Sequence, residues 1–449
     1  MSSSFTPADF AAGRTSRLPN FSKRSLPERA AIVAQWAGLT AQEQAVLLGL
    51  AGLQPGQADQ LLENVVGTFA LPLAIAVNFQ INGKEILVPM VTAEPGVVAA
   101  CSFAANLARA HGGFKCQTLM PPATGGFIQI CDVPDALAAM HTVQAAHDDL
   151  RTETERAMPA LVARGGKLKE IVLNPYPETS AGPTLEVILE VDLGDLPPAE
   201  ASHAVQAACE ALAPRIVDLT GGRAVQYAAM PPGTRRLVRA ECTVTADLLE
   251  RPGAEGEAGM DGHAAARAIA EQSALAAVDS VRGFAYRQGI LSAACAVALA
   301  TGNDPHAVAI SSHAYAETPG RRALAVWVPD TRDRLHGSLT LPVPVALPAA
   351  GPVPHPGVQV ALKILGIKNA DELAHVVAAA GLAQNLTALH ASAREPILPG
   401  HLARQAHALA RAAGAEDALV EQVAQRLLDE RNVKLERAQE LVAEMAHGQ

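Results

Sequence analysis

Apolar and polar positions change period several times along the chain, and each change marks a predicted element. Residues 26–66 carry helical spacing. Ser25-Leu-Pro-Glu28 reads as a helix start, with Pro27 in the first turn and Glu28 near the positive end of the helix dipole. Thr40-Ala-Gln-Glu43 is a capping-box pattern ahead of the apolar run 45–50. Residues 74–81 are rich in apolar side chains and stop at Asn82-Gly83, a strong hairpin signal, after which 86–89 returns as a second strand. Beyond Pro95, residues 97–110 have the Ala content and period of a buried helix that His111-Gly-Gly closes.

The middle of the chain alternates. Strands are predicted at 125–130, 170–173 and 185–191, and helices at 135–156 and 199–220. That alternation predicts a small α/β unit inserted in a larger one. Ala-rich helices follow at 262–281, 289–300 and 370–380, with extended stretches at 322–328 and 335–345 between them. A charged helical tail with a stop at Gly414 ends the chain, and residues 1–25 read as a loose arm carrying Arg14, Arg17, Lys23 and Arg24. The expected organisation is a large, mostly helical domain over 1–120 and 231–399, an inserted small domain over 121–230, and a helical tail over 400–449. The fold class is α+β.

Composition narrows the function. With 449 residues, 49% hydrophobic and 18% charged, the chain is long and apolar enough for two or three packed domains. A net charge of −10 argues against a nucleic-acid sheath, and 3% aromatics argue against base-stacking platforms. The six cysteines are scattered without a Cys-x-x-Cys pair, so no metal site is expected, and they read as buried free thiols of a reducing cytoplasm. The long uncharged run 337–362 is broken by prolines and is not expected to span a membrane. The first residues lack the apolar segment of a signal peptide.

Several blocks, kept in order, carry a family resemblance. They are Glu63-Asn-Val-Val-Gly67, Asn78-Phe-Gln-Ile-Asn-Gly83, Val88-Pro-Met, Glu94-Pro95, Ala300-Thr-Gly-Asn-Asp304, His313-Ala-Tyr, Lys363-Ile-Leu-Gly366, Gly381-Leu-Ala-Gln-Asn385 and Gly400-His401. Together they resemble 3-hydroxy-3-methylglutaryl-CoA (HMG-CoA) reductase in its soluble bacterial class II form, over nearly the whole chain. The resemblance implies NAD- or NADP-linked interconversion of HMG-CoA with mevalonate and CoA, through a hemithioacetal and an aldehyde. It also implies a homodimer with the active site between subunits, Glu63–Gly67 in the dimer contact, a dinucleotide-binding small domain and a C-terminal flap.

The resemblance assigns roles. Glu94 matches the glutamate that supplies or relays protons, Asp304 the aspartate that links it to a lysine, and His401 the flap histidine that protonates the leaving CoA sulfur. Read alone, Glu94 is a surface-loop residue, Asp304 a turn or helix cap, and His401 an exposed helix-start residue. Arg282 matches a position that contacts CoA or the substrate carboxylate. Glu170 matches the acid that takes the ribose hydroxyls and favours NAD over NADP.

The chain departs from the family at functional positions. The family lysine position carries Gln288, a neutral donor where charge-assisted bonds are roughly twice as strong. Losing one oxyanion donor costs about 100- to 1000-fold in rate. Arg287 is adjacent but points about 100° away on a helix, so it does not simply take the lysine's place. Gly96 replaces a substrate-binding serine and Ser292 a substrate asparagine. In the dinucleotide motif Asp195 remains, but Pro197-Pro198 removes two backbone donors and Glu200 would repel phosphate. Gln405 and His407 stand at flap positions where the family has histidine and arginine.

Three readings accommodate these departures. One is a working reductase or mevalonate oxidiser. The second is proton-transfer chemistry on another CoA thioester without hydride. The third is an acyl-CoA-binding paralogue without catalysis. The residues alone leave the acyl group, the direction and the assembly beyond a dimer open.

Overall fold

The computed structural model describes residues 14–120, 123–180, 182–192, 198–229, 236–250, 260–318, 323–347, 355–392, 406–416, 418–430 and 432–446. The first helices are α1 (Leu26–Ala37), α2 (Ala41–Leu47) and α3 (Pro55–Ala58). The capping box expected at Thr40 forms, with Glu43 accepting from the Thr40 N–H at 2.7 Å, and the helix start read at Ser25 is a capping box as well, with Glu28 accepting from the Ser25 N–H at 2.8 Å. Helical structure stops at Ala58, however, and residues 59–72 carry no helix or strand, which corrects the helical expectation to residue 66. The apolar side chains Leu61, Leu62, Val66, Phe69 and Leu71 of that segment stay exposed, so no helix face is buried to stabilise one.

The expected hairpin follows as β1 (Leu73–Ile81) and β2 (Lys84–Val91), paired antiparallel, with Asn82 and Gly83 both at positive φ (49° and 76°) as a type I′ turn requires. Next come α4 (Val97–Ala108), β3 (Phe114–Met120) and β4 (Ala123–Cys131). The helix expected over 135–156 is two, α5 (Ala136–Ala145) and α6 (His147–Ala157), followed by α7 (Pro159–Ala163). The elements β5 (Lys167–Tyr176), β6 (Thr184–Asp192), α8 (Pro198–Thr220) and β7 (Arg223–Ala229) complete a four-stranded antiparallel sheet in the order β5-β6-β4-β7. This sheet and its helices share their own core, with Ile128, Ile130, Leu185, Val187 and Ile216 at its centre.

The chain then returns as β8 (Leu237–Thr245), α9 (Gly262–Val278), α10 (Ser280–Ala300), α11 (Pro305–Glu317), β9 (Ala325–Pro329), β10 (Arg334–Pro342), α12 (Pro356–Leu365) and α13 (Ala370–Ser392). Residues 406–412 form α14, followed by α15 (Ala418–Asp429) and α16 (Leu435–Ala446), which share a separate apolar cluster beyond Gly414 at φ 92°.

The larger part is less purely helical than its Ala content suggests, because a six-stranded sheet, β2-β1-β3-β8-β10-β9, runs through it. The strand β8 was missed by the sequence reading although it alternates: Val238, Ala240, Cys242 and Val244 are buried, and Arg239 and Glu241 are exposed. Its buried face is built partly of Ala and Cys, which weakens the strand signal. The last register pair of β3 with β8 is Met120 with Leu237, so the chain leaves the larger sheet and re-enters it side by side.

Helix α13 lies at the centre of this core and packs on α10, α4 and β8. Gly381 allows the approach to α10: a Cβ there would meet Ile290 Cγ2 at 3.0 Å. The arm is not loose from residue 14 onward. Ser16 is fully buried and donates to Phe79 O at 2.7 Å and to Glu85, which Arg109 pairs at 2.7 Å, while Arg14 stacks on Trp36. Burying those polar groups requires such partners, and they strap the arm onto β1 and β2.

Candidate active site

Helix α10 carries three of the candidate residues, Arg282, Gln288 and Ser292. Asp279 starts it by accepting from the N–H groups of Val281 and Arg282 at 2.9 and 3.1 Å. Its inner face, Gly283, Arg287, Ile290 and Ala294, is buried. Gln288, Ser292 and Cys295 follow one another at helical spacing on a different, more open face, and Ser292 Oγ donates to the Gln288 carbonyl at 3.2 Å. Gln288 is exposed, so its amide is free to meet a ligand arriving from solvent.

Asp304 closes this stripe. The turn between α10 and α11 reverses at Gly302 (φ 72°), and Asp304 caps α11 by accepting from the His306 N–H at 2.8 Å. Cys295 Sγ donates to Pro305 O at 3.3 Å. Partial burial, and then the Asp304 carboxylate, push that thiol up to about 11. Asp304 is therefore both the helix cap its local sequence suggests and a carboxylate beside the stripe.

Glu94 is exposed in the loop joining β2 to α4, with its N–H donating to Thr92 Oγ1 at 2.9 Å, and both flanking elements pack on α10. Gly96 caps α4 at φ 92°, a left-handed backbone where a serine would be strained. Arg282 is exposed near the start of α10, 3.5 Å from Asp279. Glu170 lies apart from the stripe, exposed on β5 and paired in register with Glu190 of β6. Asp195, His401 and Gln405 lie outside the described residues. His407 contacts Glu421 through Nε2 at 2.9 Å, joining α14 to α15.

Arg287 confirms the geometric objection to its substituting for a lysine. It is buried on the inner face, with Nη1 3.3 Å from His313 Nδ1 and 3.7 Å from Glu317. His313 stacks on Phe284 at 5.6 Å. Burial first, and then Arg287, push its pKa down, against Glu317.

Sequence reasoning missed the polar residues that hold the turn. Asn303 Oδ1 accepts from Ala346 N–H at 2.8 Å, and Asn303 Nδ2 donates to Thr301 Oγ1 at 3.1 Å. Thr301 is fully buried and returns its hydroxyl to Val297 O at 2.9 Å. The Thr-Gly-Asn-Asp run itself carried this signal, since Gly and Asn are turn formers. Other motif residues are scaffold: Asn385 accepts from buried Trp327 Nε1 at 2.8 Å, and Asn78, at φ 72°, donates to Ser102 O at 3.0 Å. No group of three or more His, Cys, Asp or Glu poised for a metal occurs among the described residues.

The sequence profile described as hydroxymethylglutaryl-coenzyme A reductase matches residues 25–406. The chain belongs to that reductase family. The 3-hydroxy-3-methylglutaryl-coenzyme A reductase of Archaeoglobus fulgidus is 36% identical over 431 residues, covering 95% of this chain and 94% of the relative. A solved reductase from Streptococcus pneumoniae matches with a TM-score of 0.74 at 32% identity, covering 95% of this chain and 99% of that one. A class II structure from the same organism, bound to NADPH in open conformations, matches at 0.72 and 32%, covering 83% and 99%. Of the three readings left open by the residues, these relatives favour the oxidoreductase. Like those enzymes, this reductase-family chain has a mixed α+β fold, and no described helix is long and apolar enough to cross a membrane.

Proposed function

We propose that the protein interconverts HMG-CoA with mevalonate and CoA, using NAD as hydride carrier, as a cytoplasmic homodimer with its active site between subunits. The observation that carries the reading is the stripe of α10 ending at Asp304, set in a chain matching the reductase family over most of its length. Glu94 supplies or relays the proton to the developing alkoxide, Asp304 holds that network, and Gln288 donates a neutral hydrogen bond to the oxyanion. Arg282 meets the CoA or the substrate carboxylate, and Gly96 and Ser292 border the acyl group. His401 delivers a proton to the departing thiolate. The six free cysteines accord with a reducing compartment.

The nicotinamide dinucleotide supplies the hydride when bound. Glu170 is an exposed carboxylate suited to ribose hydroxyls, and Asp195 stands in the matching motif. The α8 N-terminus begins at Pro198, so it offers the pyrophosphate one N–H fewer than other residues would. A carboxylate at Glu170 repels a 2′-phosphate, which favours NADH over NADPH.

The test is a turnover assay at high enzyme concentration, following nicotinamide absorbance with HMG-CoA and NADH or NADPH, with CoA-dependent mevalonate oxidation in parallel. Hydride transfer in either direction, faster with the NAD couple, is expected. Measurable CoA-ester binding with no NADH binding and no transfer would overturn the reading.

A further inference from the structure

Arg236 is the first described residue after the smaller sheet, at the start of β8 where the chain re-enters the larger one. Only 5% of it is exposed. Its carbonyl accepts from Val343 N–H at 2.8 Å, and its Nη1 donates to Val345 O. Its Nε lies 3.0 Å from Asp371 Oδ1 in the first turn of α13, although the two are not aligned for a hydrogen bond. Desolvation costs this guanidinium part of its hold on its proton, and Asp371, half exposed, only partly compensates. A buried cation with one off-axis ion pair is a poor stabiliser; an apolar side chain of similar volume often serves as well. What the guanidinium supplies and an apolar side chain does not is a fixed direction for the Val345 carbonyl.

That direction matters because the next residue, Ala346, donates its N–H to Asn303 Oδ1 at 2.8 Å. Asn303 sits between Gly302 and Asp304. A short polar path thus runs from Arg236 through the 343–346 segment and Asn303 to the turn that aims Asp304. We propose that Arg236 and Asn303 are positioning residues for Asp304, with Arg236 tying the aim of that carboxylate to the junction between the two sheets. Neither touches the reacting atoms. Their effect is on alignment, where an error of about 1 Å can cost roughly 100-fold in rate.

The proposal rests on the reductase reading for its kinetic arm, so the experiment includes an arm that does not. Cys295 is the only cysteine of the six that is not buried, and its thiol bonds to Pro305, next to Asp304. It is a native reporter of the turn. The full-length protein and the variants Arg236→Met, Arg236→Lys, Asn303→Ala and the Arg236→Met/Asn303→Ala double are compared by steady-state kinetics. Each is also alkylated with iodoacetamide, with peptide-resolved mass spectrometry. For Arg236→Met the expected result is a kcat lower by about 10- to 100-fold with KM for the thioester changed less than about threefold. Cys295 alkylates at least about threefold faster while the five buried cysteines stay protected. Arg236→Lys recovers part of both effects, and the double variant is no worse than the worse single one because the two act through one path. Unchanged kcat and Cys295 reactivity, additive losses, or simultaneous exposure of all six thiols would each overturn the proposal. If the wild-type protein shows no turnover, the reductase reading fails on its own, and selective change at Cys295 still decides whether Arg236 holds the turn.

Discussion

Gln288 is the residue that the resemblance sets at the family's lysine position, and its environment says what an amide there can do. It is exposed on the open face of α10, whereas Arg287 is turned inward to His313, so its guanidinium does not supply a positive charge to that face. Gln288→Lys is expected to raise kcat for hydride transfer by about 10- to 100-fold with little change in KM, because a charged donor strengthens the oxyanion bond chiefly in the transition state. A stopped-flow or steady-state comparison of the two proteins checks it; an equal or lower kcat would show that the amide is not at the oxyanion. Asp304→Asn keeps the α11 cap acceptor and removes the charge. It is expected to lower kcat by about 100-fold or more while leaving Tm nearly unchanged, because asparagine is as good an N-cap as aspartate. These residues were legible from the motif blocks. Asn303 and Arg236 were not legible as positioning groups, because their partners, Ala346 and Val345, lie far along the chain and only the fold brings them near.

At the level of elements, local chemistry was readable wherever it is self-contained. The capping boxes at Ser25 and Thr40 and the Asn82-Gly83 turn need only neighbours in sequence. The strands β3, β7 and β8 escaped, since their pairing comes from distant segments. One such pairing can be tested at Gly337, which faces Trp327 across β9 and β10; a Cβ there would meet the indole at 2.3 Å. Trp327 is almost fully buried and its Nε1 is committed to Asn385, so it cannot step aside. Gly337→Ala is expected to destabilise by about 1–3 kcal/mol, read as a lower urea midpoint at unchanged m-value. His375 on α13 gives a pH signature. Its Nε2 lies 3.1 Å from Thr118 Oγ1, and burial pushes its pKa below 6.5, opposed by Asp371 and Glu372 and reinforced by Arg236. The unfolded chain therefore takes up a proton on this group before the folded one does. Its contribution is constant above pH 6.5 and erodes as pH falls below that value. His375→Gln is expected to flatten the loss of Tm between pH 7 and pH 5, and an identical slope would refute the assignment.

At the scale of the whole molecule, the segment 59–72 exposes Leu62, Val66 and Phe69 together, with Phe69 90% exposed, beside the Glu63–Gly67 block. Water-facing apolar side chains clustered in this way are characteristic of an interaction surface. If the homodimer forms through it, Phe69→Asp shifts sedimentation velocity from dimer toward monomer and lowers kcat, because a site between subunits is lost with the pairing. A dimer that persists unchanged would place the contact elsewhere.

The sequence by itself determined the family, the α+β class, the hairpin and caps, and the identity of the candidate catalytic side chains, because motifs and turn chemistry act over a few residues. The tertiary structure decided which of those side chains share a face. Gln288 and Ser292 lie on the more open side of α10 because its inner face is buried against α13, whose Gly381 permits the approach. The turn at Gly302 brings Asp304 beside Cys295 of the same stripe. The structure also decided that the arm beyond residue 14 is held down and that Arg236 is buried at the start of β8 against Val345 and Asp371. Desolvation and long-range hydrogen bonding set those outcomes. Both depend on contacts between segments far apart in the chain, which no local window of residues contains.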